Sequence, residues 1–153
     1  KSGIYFSPMD SDKSSGFNKL FQQLSKGASS GPDSIDILGR EIDFEDSSND
    51  IIHFSADVIF SSPRSSSDYI ELSKEFHTIF ISNLNIISEE DAARRFIAFI
   101  DECYDRNVKV VFLSAPLPDE IYAGKRLADK FQRTLSRITE MQTNDYLQTR
   151  HKG

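Results

Sequence analysis

The pattern of apolar and polar positions predicts the most regular structure between residues 76 and 147. Residues 78–81 show no polar alternation, which is typical of a strand covered on both faces, and residues 108–113 form a second run of this kind. Between them, residues 88–91 (Ser-Glu-Glu-Asp) match a helix capping box. Apolar residues then recur at helical spacing: Ala93, Phe96, Ile97, Ile100 and Tyr104. This strand–helix–strand order predicts a right-handed parallel βαβ unit.

A long C-terminal helix is predicted to begin near Arg126 and to pack against this unit. Its core-facing stripe consists of Leu127, Phe131, Leu135, Ile138 and Met141. A second set of side chains shares another face at spacing i, i+4, i+7 and i+11, and we call it the basic ridge: Arg126, Lys130, Arg133 and Arg137. The ridge either contacts a partner or pairs with water and with carboxylates of neighbouring elements.

Upstream, residues 34–55 are predicted to form a small group of antiparallel strands. Apolar residues alternate with polar ones around Ile37 and again around Ile42, and a tight turn is expected at residues 39–40. Residues 51–54 are predicted to be the third strand of this group. Three carboxylates fall on one side of the second strand: Glu41, Asp43 and Glu45. They indicate a solvated strand face rather than a metal site, because no calcium-loop spacing is present.

The remaining segments complete a single predicted domain over residues 1–153. A strand at residues 4–6 precedes a helix capped by Asp10 or Asp12, and a short helix capped by Ser67 or Asp68 precedes the βαβ unit. The predicted fold class is therefore α/β, with a parallel βαβ unit packed by a long C-terminal helix and a small antiparallel β-hairpin region inserted.

Composition and charge narrow the class of protein. No apolar run approaches the roughly 18 residues needed to cross a bilayer, which argues against an integral membrane protein. The net charge of −6 argues against wholesale binding to nucleic acid or anionic lipid. The single cysteine, Cys103, favours a reducing compartment such as the cytosol or the mitochondrial matrix. Because the chain starts at Lys1 rather than at Met, we expect it to be the C-terminal part of a longer protein.

The sequence lacks the common signatures of a self-contained catalytic site. No G-x-x-x-x-G-K-[ST] phosphate loop is present, because residues 124–125 (Gly-Lys) lack the upstream glycine. The three histidines are too scattered for a metal-ligand pattern. Cys103 with His77 is disfavoured as a nucleophile and base, since a mid-helix thiol on the apolar side is usually inert packing, and His77 is expected to be buried or paired.

Several ordered motifs identify a resemblance to a known family. They are Tyr5-Phe6-Ser7-Pro8, then Phe76-His77-Thr78, then Ala93-Arg94-Arg95-Phe96-Ile97 with Ile100-Asp101-Glu102, and finally Phe131, Arg133, Thr134, Ser136, Arg137 and Glu140-Met141-Gln142. At this spacing the chain resembles the C-terminal end of the ZapE/Afg-type ATPases, which are bacterial cell-division ATPases and their mitochondrial relatives. The resemblance runs nearly end to end and is weakest in the hairpin region.

The resemblance implies that the chemistry of ATP hydrolysis is centred outside this chain. In such proteins the Walker A and Walker B elements, with ATP and Mg, belong to an upstream AAA+ core. The fragment is therefore expected to bind neither by itself and not to hydrolyse ATP alone. Asn83 stands where relatives often carry Asp, which argues against a second metal-binding nucleotide site here.

Two members of the basic ridge are the candidate site residues. We hypothesise that Arg133, with Arg137 second, acts as a sensor or arginine finger toward ATP bound by the core of the same or a neighbouring subunit, since arginine suits phosphate oxygens. The alternative is that both pair with Glu140, Asp101 or Glu102 and fix the helix on the sheet.

The resemblance also implies a cellular setting and partners. It points to bacterial cell division with the tubulin-like protein FtsZ, in the cytoplasm, or to protein quality control in the mitochondrial matrix, and it is compatible with a homo-oligomer. The alternative function is a non-catalytic protein-interaction module whose sheet edge or basic ridge docks a partner. Nucleic-acid binding is disfavoured, because the chain is acidic and lacks exposed aromatic residues interleaved with the ridge.

Overall fold

The computed structural model describes residues 4–153 and contains seven strands. In chain order they are β1 (Tyr5–Phe6), β2 (Asp33–Ile37), β3 (Arg40–Phe44), β4 (Asp46–Ser48), β5 (Ile51–Ser55), β6 (Thr78–Leu84) and β7 (Lys109–Ser114). Five of them form one sheet in the order β1-β7-β6-β5-β4, in which only β4 runs antiparallel to its neighbour. Strands β2 and β3 form a separate antiparallel hairpin.

Five α-helices connect and cover the strands. They are α1 (Ser11–Ser25), α2 (Ser66–Glu75), α3 (Glu90–Asp105), α4 (Ala128–Met141) and α5 (Asn144–Leu147). A π-helical turn at Asp57–Ser61 follows β5, and a 3₁₀ turn at Pro118–Glu120 follows β7. No helix within residues 4–153 is long and apolar enough to cross a bilayer.

The predicted βαβ unit is confirmed as β6, α3 and β7. The two strands are parallel, with Ile79 opposite Val110, and both are buried in the middle of the sheet. Helix α3 closes over them with Phe96 and Ile100 fully buried. The predicted fold class is therefore correct: a parallel α/β sheet with a small antiparallel hairpin and a long C-terminal helix.

The prediction for the third antiparallel strand is correct only in part. β5 pairs antiparallel with β4, with Ser47 opposite Ile52, but it does not join the hairpin, and its other neighbour, β6, runs parallel to it, with Ile52 opposite Ile79. β5 belongs to the main sheet because it is covered on both faces: Ile51, Ile52 and Phe54 are all buried. The hairpin turn also differs by one residue: Leu38 and Gly39 occupy it with φ of 54° and 84°, as a tight hairpin turn requires.

The sheet is covered on both faces. On one face, α1 packs Phe17 and Phe21 against Phe80 and Val111 of the central strands. On the other face the hairpin packs on α2, α2 on α3, and α3 on α4, so that these elements form a helical layer in that lateral order. The hairpin and α4 therefore lie at opposite ends of this layer.

The helix caps confirm one prediction and correct three. Asp10 caps α1 as expected, by accepting the backbone N–H of Lys13. Helix α2 begins earlier than predicted, with Ser65 as N-cap, and the Asp68 carboxylate accepts the N–H of Ser65 at 3.1 Å. The N-cap of α3 is Glu89, without a side-chain cap hydrogen bond, so the predicted capping box does not form. Helix α4 begins at Ala128, two residues after the predicted start.

Candidate functional site

Helix α4 presents one face to the core and carries three of the four residues of the basic ridge, whereas Arg126 lies in the turn before the helix. Phe131 stacks on Phe96 of α3 and on Tyr122, with ring centroids 5.7 and 5.2 Å apart. Ile138 and Met141 continue the buried stripe toward the end of the helix. Because these contacts fix the rotation of α4 about its axis, they also fix the direction in which the ridge points.

The start of α4 is anchored by a tyrosine. The Tyr122 hydroxyl donates to the Glu90 carboxylate at 2.9 Å and accepts the backbone N–H of Leu127 at 3.1 Å. A Cβ at Gly124 would lie only 2.4 Å from this hydroxyl, so a side chain there would displace the ring. Glycine at this position therefore allows the linker to pass Tyr122 closely, and the start of α4 is tied to the start of α3.

Arg137 is held by two neighbours on α3. Its guanidinium donates to the Asp101 carboxylate and lies over the Tyr104 ring, 4.7 Å from the centroid. The Tyr104 hydroxyl in turn donates to Glu140 at 2.8 Å, a hydrogen bond that raises the pKa of Tyr104. The alternative pairing considered for Arg137 is thus present, with Asp101 as the partner.

Arg133 is much less constrained than Arg137. Its guanidinium nitrogen lies 3.6 Å from the same Asp101 carboxylate, beyond hydrogen-bond distance, and its side chain is 69% exposed. Glu102, the other carboxylate considered as a partner, accepts from Arg106 at 2.7 Å instead. Asp101 therefore faces two arginines and binds one of them closely, while the catalytic role of either arginine stays a prediction.

The rest of the ridge is open. Arg126 and Lys130 are exposed, and within residues 4–153 neither has a carboxylate oxygen within 4 Å. The ridge thus divides into one fixed cation, Arg137, and three that point into solvent.

The loop that follows β7 fills the crevice at the carboxyl edge of the sheet, together with side chains of β1 and the residue after it. β1 leads to α1 on one face of the sheet while β7 leads to α4 on the other, an arrangement that in open α/β sheets leaves a ligand crevice. Here the Tyr5 hydroxyl donates to the Pro116 carbonyl at 2.8 Å and lies 3.0 Å from Ser114 Oγ, and Ser7 Oγ donates to the Ala115 carbonyl at 3.2 Å. Burial raises the pKa of Tyr5 to about 12. The crevice is therefore occupied by the protein's own side chains.

A cleft of about 190 Å³ lies next to this edge, between the end of β6 and the start of α3. Its polar lining includes Asp57, Asn83, Asn85 and Glu89. Asn83 adopts the left-handed conformation, with φ of 58°. Among the residues that the structure describes, no group of three His, Cys, Asp or Glu side chains is arranged to hold a metal ion.

The remaining chemically active side chains serve the fold. Cys103 is buried, and burial raises the pKa of its thiol, as expected for inert packing. His77 is exposed and lies 2.7 Å from Thr78 Oγ1, so of the two expected alternatives, burial or pairing, the structure shows pairing. His53 lies 2.8 Å from Ser82 Oγ, and burial lowers its pKa to about 4.

The fold and the ridge together define an α/β domain that lacks a phosphate loop and presents an outward-facing arginine. The family model of the AFG1-like ATPases matches residues 1–150, and the chain belongs to that family. The resemblance found in the ordered motifs is thereby confirmed.

Two relatives illustrate the similarity. The chain is 36% identical over 151 residues to the cell division protein ZapE of Escherichia coli K12, an alignment that covers 97% of this chain and 40% of the relative. It is 30% identical over 179 aligned positions to lactation elevated protein 1 homolog B of Danio rerio, covering 94% of this chain and 36% of the relative. The chain thus spans less than half the length of these relatives. No solved structure matches it.

Proposed function

We propose that this chain is the part of an AFG1-like ATPase that supplies an arginine, rather than the phosphate loop, to the ATP site. The observation that carries the proposal is the contrast within the ridge: Arg137 is fixed by Asp101, whereas Arg133, one turn earlier, is 69% exposed. The chain has no phosphate-loop motif of its own, so the nucleotide would be presented by another part of the protein or by a neighbouring subunit.

The chemistry of Arg133 fits this task. ATP with Mg²⁺ supplies the transferable γ-phosphoryl group, and arginine stabilises the charge spread over its oxygens during transfer. A guanidinium offers paired N–H groups that match phosphate oxygens. Arg133 is 69% exposed and, at 3.6 Å from Asp101, is not hydrogen-bonded to that carboxylate, so its N–H groups stay available to an incoming anion.

Arg137 serves in this proposal as a positioning residue. It neutralises Asp101 and packs on Tyr104, which keeps that carboxylate from drawing Arg133 into a close ion pair. Arg137 would therefore affect ATP turnover only through the placement of Arg133, and it is the second candidate rather than the first.

The similarity to a cell division protein supports, as part of this proposal, a role of the whole protein in cell division. The resemblance to the family adds FtsZ as the proposed partner and a bacterial cytoplasm as the proposed location. Protein quality control in the mitochondrial matrix is the alternative setting.

The test uses the full-length protein that contains this chain. Arg133→Ala is expected to lower ATP turnover about 10³-fold, the scale of a lost arginine finger, while binding of a fluorescent ATP analogue and thermal unfolding stay unchanged. Arg133→Lys should recover little, because lysine lacks the paired geometry. Arg94→Ala, an exposed arginine on α3, is the matched control and should retain full turnover. Wild-type turnover in Arg133→Ala, or an equal loss of stability, would overturn the proposal.

A second test uses this chain alone. Titration with ATP and Mg²⁺ in a calorimeter should show no binding at micromolar nucleotide, because the chain lacks a phosphate loop. Micromolar affinity would mean that the chain contains a nucleotide site of its own, contrary to the proposal.

The second candidate function is a non-catalytic protein-interaction module. It is favoured by Arg126 and Lys130, which are exposed and have no carboxylate within 4 Å in the described part of the chain. If Arg133→Ala retains turnover in the full-length protein while reversal of these two charges abolishes binding of a partner, the module is the better description.

A further inference from the structure

Two tyrosines form a stacked pair next to the basic ridge. The rings of Tyr104 on α3 and Tyr146 on α5 are nearly parallel, with an interplanar angle of 11° and centroids 6.1 Å apart, and we call them the tyrosine pair. Each ring also carries a cation. The Lys109 ammonium of β7 lies 5.0 Å from the centroid of Tyr146, and the Arg137 guanidinium lies 4.7 Å from that of Tyr104. The tyrosine pair therefore links the sheet to the ridge through side chains of four different elements.

Tyr146 is the fixed member of the tyrosine pair. It is buried, and its hydroxyl donates to the Val108 carbonyl at 2.8 Å. Lys109, which lies over its ring, is held as well, because the ammonium donates to the carbonyls of Asn107 at 2.7 Å and of Thr149 at 2.8 Å. A buried ring whose polar tip is hydrogen-bonded keeps one orientation. Tyr146 thus offers a rigid surface to the other ring of the pair.

Tyr104 depends on this support. It is half-buried, and its hydroxyl donates at 2.8 Å to Glu140, which is exposed on α4. A hydrogen bond at an exposed site contributes little by itself, because water can replace the partner. That bond also holds only the tip of the ring, whereas contact with a second ring holds its plane. The stack on Tyr146 is therefore the contact that fixes the plane of the Tyr104 ring.

The plane of Tyr104 matters because Arg137 lies over this ring. Arg137 has two partners, the ring and the Asp101 carboxylate. An ion pair between partly exposed groups holds a long side chain only weakly, so the contact with the ring supplies much of its order. Arg133 lies 3.6 Å from the same carboxylate. When Arg137 loses the ring, Asp101 becomes free to form a close ion pair with Arg133 instead.

We propose that Tyr146 is a positioning residue for the ATP site. Its ring holds Tyr104 in place, and Tyr104 in turn holds Arg137 on the Asp101 carboxylate. That carboxylate therefore leaves Arg133 free for the nucleotide. This role of Tyr146 rests on the function proposed for Arg133, and it adds a residue of α5 to the groups that place the arginine.

Steady-state ATP turnover by the full-length protein tests this role. Tyr146→Leu keeps an apolar side chain but removes the ring, and it should lower kcat about tenfold with KM for ATP unchanged, as expected for a misplaced catalytic group. Tyr146→Phe keeps the ring and should recover at least about fivefold of that loss. Adding Asp101→Asn to Tyr146→Leu should raise kcat at least about threefold, because the carboxylate that captures Arg133 is then gone. A general loss of stability would not be corrected by this second change.

Two further variants separate positioning from folding. Tyr104→Leu, at a half-buried position, should give the same loss of kcat and the same recovery with Asp101→Asn, even if Tyr146→Leu fails to fold. Phe21→Leu is the matched control, because Phe21 is equally buried and its ring stacks on Phe80, 5.0 Å away, on the opposite face of the sheet. Its kcat should stay within about twofold of the wild-type value.

The outcomes distinguish this role from the proposed function itself. If Arg133→Ala lowers kcat but Tyr146→Leu and Tyr104→Leu do not, the positioning role is overturned while the function proposed for Arg133 stands. The positioning role is equally overturned if Tyr146→Phe is as impaired as Tyr146→Leu, if Asp101→Asn restores nothing, or if Phe21→Leu loses as much turnover. If Arg133→Ala keeps the wild-type kcat, the proposed function fails and the role of Tyr146 fails with it.

Discussion

Two arginine–aspartate clusters occupy the two ends of the helical layer, and they differ in how far the carboxylate is buried. Arg40 of the hairpin donates to both oxygens of Asp68 on α2, at 2.6 and 2.5 Å, and the Asp68 side chain is 0% exposed. At the other end, Asp101 is 26% exposed and faces both Arg133 and Arg137. One cluster has matched charges, and the other has one cation in excess.

The comparison teaches that burial of the carboxylate decides the role of its arginine. Asp68 needs Arg40, because an unpaired buried charge is costly, and it also accepts the N–H of Ser65 at the start of α2. Asp101 is already neutralised by Arg137, so Arg133 is not required for the fold. The first cluster joins the hairpin to the helices, whereas the second leaves a cation available for function.

Asp68→Ala should produce the largest loss of stability. It removes the charged acceptor of two hydrogen bonds, those donated by Arg40 and by the Ser65 N–H, and we expect the free energy of unfolding to fall by about 3 kcal/mol. Urea denaturation followed by circular dichroism measures it. Asp129→Ala, an exposed carboxylate in the first turn of α4, is the control and should change stability much less. A loss from Asp68→Ala no larger than that of the control would mean that the two ends are equally dispensable.

His53 makes the stability of the folded chain depend on pH, and this contribution must be separated from that of other groups before acid unfolding is interpreted. Burial lowers the pKa of His53 to about 4, so between about pH 6.5 and 4 the unfolded chain binds a proton that the folded chain excludes. Stability is therefore fully present above pH 6.5 and falls as the pH drops, by about 2 kcal/mol at pH 5.

His53→Gln should remove this contribution while keeping a polar partner for Ser82. Urea unfolding at a series of pH values, from about 7.5 down to about 4.5, is the measurement. If the pH profile of His53→Gln is as steep as that of the wild-type chain, His53 is not the group that titrates.

The parts of the fold that could be predicted are those set by local patterns. β6, α3 and β7 could be predicted because buried strands lack polar alternation and because the helix between them is long, with apolar residues at helical spacing. The membership of β5 in the main sheet was not predicted, because its pairing with β6 is non-local. The apolar pattern of residues 51–54 is equally compatible with a strand beside the hairpin. The start of α2 was misplaced because consecutive serines at residues 65–67 can all act as caps, and the choice rests on the contact between Asp68 and Arg40.

The candidate site was predictable to a similar extent. Helical spacing placed Lys130, Arg133 and Arg137 on one helix but wrongly included Arg126, which precedes α4. Asp101 was among the three carboxylates considered as partners. The carboxylate that pairs with Arg137 is determined by how α3 and α4 pack together. The spacing of residues along the sequence does not contain that geometry. The contact of Arg137 with Tyr104 and the difference in exposure between Arg133 and Arg137 arise from the same packing, so the sequence alone ranked the two arginines without explaining the ranking.

Arg137→Ala should have a moderate effect. It leaves Asp101 with only the distant Arg133 and removes the cation–π contact with Tyr104, so we expect a loss of about 1 kcal/mol. Thermal unfolding in low and high salt checks the origin, because the ion-pair contribution weakens with salt while that of the contact with the ring persists. A loss as large as that of Asp68→Ala would show that partial exposure does not distinguish the clusters.

The smallest effect is expected for Arg133, and a double-mutant cycle measures it against Arg137. Arg133→Ala should change the free energy of unfolding by less than about 0.5 kcal/mol, and its coupling energy with Asp101→Asn should be close to zero, because 3.6 Å and high exposure leave little interaction to lose. The cycle of Arg137→Ala with Asp101→Asn should give a coupling of about 1 kcal/mol. Equal couplings would mean that Asp101 holds both arginines alike. In that case Arg133 would be a structural residue, and its exposure would no longer support the proposal that it contacts ATP.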